Sequence, residues 1–214
     1  AEAVRAMGQA LAQNVPGVLG FHVEGPFINP ERKGVHNPAY MRPIEDADIA
    51  ILTSLTAGRN MLTVAPEMND LAAIARLSRA GILVSAGHSA GDYETIVEAI
   101  RHGLRGFTHL FNAMPPMAGR DPGPVGAALD TSGTWCGLIV DGYHVSDSAL
   151  RVAIAAKGFD GMMLVTDAMS SVGSDLTSFD LMGKTVYRKD GKLTTADGTL
   201  AGSDLDMASA VRNT

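Results

Sequence analysis

The chain has 214 residues, of which 46% are hydrophobic and 19% are charged, and its formal net charge at pH 7 is −6. These values are typical of one soluble globular domain, and they exclude general binding to nucleic acid or to acidic membranes, which requires excess positive charge. The single cysteine, Cys136, excludes an intrachain disulfide, and no apolar run approaches the roughly 18 residues of a membrane span, so we expect a cytoplasmic protein.

The predicted elements begin with an amphipathic helix in residues 1–13, followed by alternating strands and helices. Short apolar segments without strict alternation predict strands that are buried on both faces, as in a parallel sheet. There are six such segments, VLGFHVEGP, NMLTVAPE, ILVSAGHS, GFTHLFNA, WCGLIVDG and MMLVTDA. Apolar residues at three- and four-residue spacing predict helices over residues 45–58, 70–80, 92–102 and 147–157. Gly81, Gly103 and Gly158 follow three of these helices and suit left-handed caps.

Residues 183–201 depart from this rhythm, and Asp190-Gly191 between alternating residues predicts a β-hairpin-like insertion. The fold class is α/β, either an open doubly wound sheet or a closed barrel. We favour a TIM-type (β/α)8 barrel because residues with chemical potential follow several different strands, whose ends converge in a barrel. The chain begins without Met and supplies six strands rather than eight. We therefore expect residues 1–214 to be a single catalytic barrel domain and a fragment of a longer chain.

The segment GHSAG at residues 87–91 fits the G-x-S-x-G pattern of serine hydrolases. In those enzymes an acid and then a histidine follow the serine. Here His144 could serve only with Asp121, Asp130 or Asp141, and Asp141 is too close to it in sequence to belong to an independent loop. Ser89 and Asp92 also fit a capping box at the start of the following helix, which is the interpretation we favour. A serine hydrolase that uses Ser89 stays open as an alternative.

Three residues at predicted strand ends, Glu24, His88 and His109, offer one carboxylate and two imidazoles. A catalytic zinc site uses about three such ligands and keeps one position for water. Asp167, at the end of the last strand, can accept a proton from an activated water and return it to a leaving amine. Each residue alone would more often be structural, but their shared position favours a metal-dependent hydrolase.

Longer motifs carry a resemblance to a known family, in the family's order and with similar spacing. The chain resembles the N-acetylglucosamine-6-phosphate deacetylases of the amidohydrolase superfamily from about residue 19 onwards. The segments concerned are GFHVEGPFINPERKGVHNPAY, SAGHS, THLFNAMPPMAGRDPG, DGYHV, LVTDA and GTLAGSDLDM. The resemblance implies a distorted (β/α)8 barrel, here lacking the first strands and the terminal β-sandwich. It also implies hydrolysis of N-acetylglucosamine 6-phosphate to glucosamine 6-phosphate and acetate.

The resemblance further implies roles for individual residues. Matches to the family's metal ligands are Glu24, His88 and His109. Asp167 matches the general acid/base, and His36 matches a histidine beside the acetyl carbonyl. Matches to substrate-binding positions are Asn112, Ala113, Arg120 and His144, with Arg120 at a phosphate-binding arginine. The implied cofactor is a divalent metal ion, zinc before iron, cobalt or manganese, and the implied assembly is a homodimer.

Alternatives to this function remain. The galactosamine epimer of the substrate is one, because nothing in the sequence reports on the orientation of one sugar hydroxyl. The serine hydrolase is a second. A third is a non-catalytic fragment, because a barrel short of two strands would leave two sheet edges unpaired.

Overall fold

A computed structural model describes residues 1–214, which form nine strands and seven α-helices. The strands are β1 His22–Glu24, β2 Met61–Val64, β3 Leu83–Ala86, β4 Gly106–Phe107, β5 Trp135–Leu138, β6 Met162–Leu164, β7 Ser178–Leu181, β8 Lys184–Lys189 and β9 Lys192–Thr195. The helices are α1 Glu2–Ala12, α2 Asp46–Leu52, α3 Leu71–Arg79, α4 Tyr93–Arg101, α5 Gly123–Asp130, α6 Asp147–Lys157 and α7 Met207–Asn213. None of the helices has the length and hydrophobicity that crossing a bilayer would need.

The first six strands form one parallel sheet in the order β1-β2-β3-β4-β5-β6, and a helix connects each strand to the next. A doubly wound sheet would reverse its strand order at a switch point, whereas a barrel keeps sequential neighbours side by side. The observed order therefore confirms the barrel-type α/β fold and the six predicted strands. It also places the carboxyl ends of all six strands at the same end of the sheet.

The two faces of the parallel sheet differ in chemistry. Apolar side chains from the strands, among them Leu62, Val84 and Phe107, are fully buried in one cluster of 31 residues shared with the helices. On the other face, Thr63 Oγ1 lies 2.7 Å from Thr108 Oγ1 and 2.7 Å from His22 Nε2. The sequence predicts His22 as a packed interior residue, whereas in the structure its side chain is exposed.

One predicted helix ends earlier than expected, and one observed helix was not predicted. The helix predicted over residues 45–58 ends at Leu52, because the Asn60 side-chain amide donates to the carbonyls of Leu55 and Ala57 and holds them away from a helical path. Helix α5 was not predicted. Its sequence contains two glycines and a proline and is buried around nearly its whole circumference, so it lacks the one-sided pattern of an amphipathic helix.

Strands β7, β8 and β9 form a separate antiparallel sheet over residues 178–195. Asp190 and Gly191, with φ of 52° and 76°, make the two-residue turn between β8 and β9. Both angles are those that a type I′ hairpin turn requires. The sheet has its own small apolar cluster, Val186, Leu193 and Ala201.

Candidate metal centre

Glu24, His88 and His109 converge at the carboxyl ends of β1, β3 and β4. Glu24 Oε1 lies 2.9 Å from His88 Nε2 and 2.9 Å from His109 Nε2, and the two histidine nitrogens are 3.1 Å apart. Ligand atoms that share one ion at about 2.1 Å each lie roughly 3 to 3.5 Å from one another. The three atoms therefore fit a single divalent ion, as their positions at strand ends predict.

His88 is held in the tautomer that a metal ligand needs. Its Nδ1 donates to the backbone carbonyl of Arg32 at 2.6 Å, so Nε2, which lies 2.9 Å from Glu24 Oε1, is the ring atom available to a metal. The residue has a φ of 49°, in the left-handed region, where a residue with a Cβ costs about 1–2 kcal/mol. Contacts around His88 must therefore hold this conformation against its own backbone preference.

His109 is also in the left-handed region, with a φ of 34°, and is almost completely buried. In contrast to His88, its Nδ1 atom is buried without a hydrogen-bond partner. Buried polar atoms without a partner are rare, and they concentrate at sites that bind an ion, a water or a substrate. The orphaned nitrogen belongs to the same ring whose Nε2 meets Glu24.

Electrostatics favour an ionised Glu24. Burial alone would raise the pKa of its carboxyl, but hydrogen bonds from His109 and His88 hold that pKa well below its usual range. Burial would lower the pKa of His109, but its contact with Glu24 raises it. An ion bound at this position would compete with protonation of His109, so affinity for metal should fall at low pH.

His36 lies beside His88 and Glu24. The ring centroids of His36 and His88 are 5.0 Å apart at an angle of 89°, and ligand atoms of Glu24, His36 and His88 all lie within 4.8 Å of one another. This second grouping overlaps the first but is looser than the separations of 2.9–3.1 Å in the set that contains His109. The set that contains His109 therefore has separations closer to those of ligands that share one ion than the set that contains His36. Burial, and then the proximity of His88, lower the pKa of His36.

Asp167 follows β6 and lines the same pocket as the three converging residues. Burial raises the pKa of its carboxyl above the usual range, while the nearby His109 opposes that rise. The backbone carbonyl of Asp167 accepts from Ser203 N–H at 2.8 Å, and its φ is 51°. A half-buried carboxyl with a raised pKa beside a histidine cluster can both take up and release a proton.

The pocket around these residues has a volume of about 560 Å³. It is lined by the predicted substrate-binding residues Asn112, Ala113 and His144, whereas Arg120 does not line it. His144 Nδ1 is 2.7 Å from Asp141 Oδ2, and both side chains are nearly buried. Burial would raise the pKa of Asp141, but the bond with His144 lowers it. Arg120 lies in an exposed loop, so its predicted phosphate contact stays a prediction.

Other residues of the pocket escaped the sequence analysis. Arg32 and Lys33 line it beside His36, and Arg32 Nε is buried without a partner. Leu181 and Met182, at the β7–β8 turn, form part of the opposite wall. The two basic residues stand within the PERKG segment and could have been noticed as a local positive charge, whereas no local pattern shows that the antiparallel sheet returns to this pocket.

A larger groove of about 960 Å³ lies between α4, α5 and α6. Eight of its twelve lining residues are hydrophobic, and Asp130 is its only carboxylate. Its size exceeds that of the polar pocket, but it contains no histidine and no convergent donor set. The smaller pocket is therefore the better candidate for a catalytic site.

The structure does not support a serine nucleophile. Ser89 Oγ donates to Glu67 Oε2 at 2.7 Å and accepts from Gly91 N–H, and no histidine contacts it. The predicted capping box is wrong in its first residue, because Asp92 is the N-cap of α4 and accepts from Thr95 N–H at 2.8 Å. Ser89 lies three residues too early because the chain is still turning out of β3.

Comparisons with known proteins identify relatives of the chain by sequence and by fold. The chain is 43% identical over 210 residues to N-acetylgalactosamine-6-phosphate deacetylase of Shewanella sp. (strain ANA-3), covering 98% of this chain and 53% of that protein. The crystal structure of N-acetylglucosamine-6-phosphate deacetylase from Pasteurella multocida superposes with a TM-score of 0.94 at 39% identity, over 99% of this chain and 56% of that one.

A further structure is an aspartate-to-alanine variant of the Mycobacterium smegmatis N-acetylglucosamine-6-phosphate deacetylase in complex with N-acetyl-D-glucosamine-6-phosphate, with a TM-score of 0.89 and 34% identity over 98% of this chain and 56% of that one. No protein-family model matches the chain. The chain spans about half the length of the curated relatives it matches. By sequence and by fold, the chain belongs to the N-acetylglucosamine-6-phosphate deacetylase family.

Proposed function

We propose that the protein is a metal-dependent deacetylase of N-acetylglucosamine 6-phosphate, which it hydrolyses to glucosamine 6-phosphate and acetate. The observation that carries this proposal is the convergence of Glu24, His88 and His109 within 2.9–3.1 Å, beside Asp167. One carboxylate and two imidazoles are ligands that suit zinc, although iron, cobalt and manganese accept them as well.

A divalent ion held by these ligands would supply Lewis acidity, which lowers the pKa of water and polarises an amide carbonyl. The chain's own residues perform the proton transfers. The carboxylate of Asp167 takes the proton from the attacking water and later donates it to the amide nitrogen, which leaves as an amine. His36 donates an N–H to the acetyl carbonyl oxygen, where negative charge develops. Its lowered pKa keeps the imidazole neutral near pH 7, so it donates without adding a positive charge.

The substrate class follows from the pocket. Its volume of about 560 Å³ suits a phosphorylated monosaccharide. His144, Asn112 and the backbone of Ala113 bind the sugar, and Arg120 is proposed for the phosphate. Arg32 and Lys33 place two cationic side chains in the pocket, and these suit a phosphate. Three carboxylates, Glu24, Glu31 and Asp167, line the same pocket, so the positive charge available to an anion is local to these two residues.

The galactosamine epimer is the second candidate substrate. The relative from Shewanella, at 43% identity, carries that name, so the axial or equatorial hydroxyl at C4 must be tested directly. Acetate release from N-acetylglucosamine 6-phosphate and from N-acetylgalactosamine 6-phosphate, compared at equal concentration, separates the two.

The decisive experiment is metal removal from the full polypeptide that contains residues 1–214. Dialysis against a chelator should abolish acetate release, and added Zn²⁺ should restore it. Activity that persists without metal would contradict the proposal and would favour a serine hydrolase. Light scattering of the same sample tests the expected homodimer.

A further inference from the structure

Glu67 and Ser89 have no part in the proposed reaction, yet they lie directly behind a proposed metal ligand. Glu67 stands in a 3₁₀ turn, Pro66–Met68, just after β2. Its Oε2 accepts from Ser89 Oγ at 2.7 Å, and its Oε1 accepts from the backbone N–H of Ala90 at 2.6 Å and from the Asn29 side-chain amide at 2.9 Å. Three donors from two loops thus meet on one carboxylate.

The two loops are those that hold His88. One of them contains His88 itself, immediately before Ser89. The other begins at Asn29, whose backbone N–H donates to the carbonyl of His88 at 3.0 Å. Asn29 also caps the 3₁₀ turn Pro30–Arg32, and the carbonyl of Arg32 accepts from His88 Nδ1 at 2.6 Å. This loop therefore forms hydrogen bonds with both the backbone and the ring of His88. Glu67 connects the same loop by hydrogen bonds to Ser89 and Ala90, which follow His88.

The glycines of the GHSAG segment fit this arrangement. A Cβ on Gly91 would lie 3.1 Å from Glu67 Oε2, so glycine lets the carboxylate approach the loop. A Cβ on Gly87 would lie 2.7 Å from Thr63 Cγ2, which would push the end of β3 away from β2. The pattern that resembles a serine hydrolase motif is therefore explained by packing around His88.

We propose that Glu67 is a positioning residue for His88. Its carboxylate holds together the two loops that keep the His88 backbone in the left-handed region and the His88 Nε2 atom directed at the proposed metal site. The inference rests on the proposed function, because it assigns Glu67 to the proposed metal site. Residues that orient a metal ligand through such contacts typically change metal affinity by about 10- to 100-fold when they are removed.

The test is Glu67→Ala in the full polypeptide that contains residues 1–214, with the Kd for Zn²⁺ measured by competition with a chromophoric chelator. We expect the Kd to rise at least about tenfold. Glu67→Gln should rescue binding to within about threefold of the unsubstituted protein, because its carbonyl oxygen still accepts from Asn29 and Ala90 and its amide can donate to Ser89.

Lys157→Met is the matched control. Lys157 Nζ donates to the carbonyls of Ala128 and Thr131 and to Thr134 Oγ1, so this variant also loses three hydrogen bonds. Lys157 lies near the amino ends of β5 and β6, whereas the proposed metal ligands lie at the carboxyl ends of the strands. Its melting temperature should fall while its Kd for Zn²⁺ stays unchanged.

Each outcome bears on a different statement. If the unsubstituted protein binds no metal, the proposed function fails and this inference with it. If it binds metal and Glu67→Ala binds equally well, or is weakened no more than Lys157→Met, the role of Glu67 is refuted while the metal site stands. Should Glu67→Ala not fold, Ser89→Ala replaces it, and an unchanged Kd in that variant would refute the proposal.

Discussion

The amino and carboxyl ends of the parallel strands differ in the residues that turn the chain between strand and helix. At the amino ends of the strands, positive φ angles belong to glycines, among them Gly81, Gly103, Gly133 and Gly158 at 74–104°, with the exception of Asn14 at 52° in the loop before β1. At the carboxyl ends they also belong to residues with side chains: His88, His109, Phe111, Ala113 and Asp167, at 34–78°. Glycine adopts such angles without strain, whereas the other residues do not.

Polar groups follow the same division. The ammonium group of Lys157, at the amino ends, has three acceptors, whereas His109 Nδ1 and Arg32 Nε, at the carboxyl ends, are buried without partners. Strain and unsatisfied polar atoms thus collect where the chemistry is proposed, and satisfied contacts collect where only stability is needed. The amino ends of the strands therefore contribute mainly to stability, whereas the carboxyl ends carry the residues proposed for catalysis.

Asp167→Asn gives the largest expected effect. The amide cannot accept the proton from water, so acetate release should fall by roughly 10³-fold. Because Asp167 is not among the three converging ligands, the protein should still bind one equivalent of metal, as measured by elemental analysis. Retention of activity would show that another residue transfers the proton. It would contradict the proposed difference between the amino and carboxyl ends of the strands.

Lys157→Met tests the opposite end. Loss of its three hydrogen bonds leaves the Ala128 carbonyl without a partner, whereas the Thr131 carbonyl still accepts from Thr134 Oγ1, so the free energy of unfolding should fall by about 2 kcal/mol. Chemical denaturation measures this loss. Turnover per folded molecule should not change, and a fall in turnover would show that the two ends are not separable.

A pair of backbone substitutions sharpens the comparison. Gly81→Ala meets no atom within 4 Å, so its cost is that of an alanine at a φ of 90°, about 1 kcal/mol of unfolding free energy. Ala113→Gly relieves a similar strain at a φ of 51°, but adds freedom to the unfolded chain, and should change stability by less than about 0.5 kcal/mol. Urea denaturation of both variants gives the two values, and equal losses would contradict the assignment of strain to the carboxyl ends.

Cys136 gives the smallest effect. It is fully buried in β5 on the face that packs against the helices, and burial raises the pKa of its thiol to about 11. The thiolate is the reactive form, so the folded protein should not react with iodoacetamide at pH 8, whereas the urea-unfolded protein should. Mass spectrometry detects the adduct, and rapid labelling of the folded protein would indicate that β5 opens.

Local sequence patterns predicted the parts of the molecule that local physics determines. Apolar runs located the six parallel strands, and the position of Glu24, His88 and His109 after three of them was sufficient to predict their convergence. Helix α5 was missed because it is apolar on nearly every side, so it has no periodic signal.

Contacts between loops were beyond such patterns. Ser89 meets Glu67 across 22 residues of sequence, and no propensity or spacing connects the two. Likewise, nothing local indicates that Met182 would reach the pocket from the antiparallel sheet, or that Arg120 would stand outside it. These placements depend on how the loops fold back over the ends of the strands, which is a long-range property.

The line of polar side chains beneath the metal centre has one further consequence. His22, Thr63, Thr108 and Ser85 are joined in sequence by hydrogen bonds of 2.7–2.8 Å across four neighbouring strands. A hydroxyl that receives a hydrogen from one neighbour passes its own to the next, so the direction of the whole row is set by whether Nε2 of His22 carries a hydrogen. A change of tautomer at the edge of the sheet would thus reverse every hydroxyl up to Ser85 without the displacement of a single heavy atom.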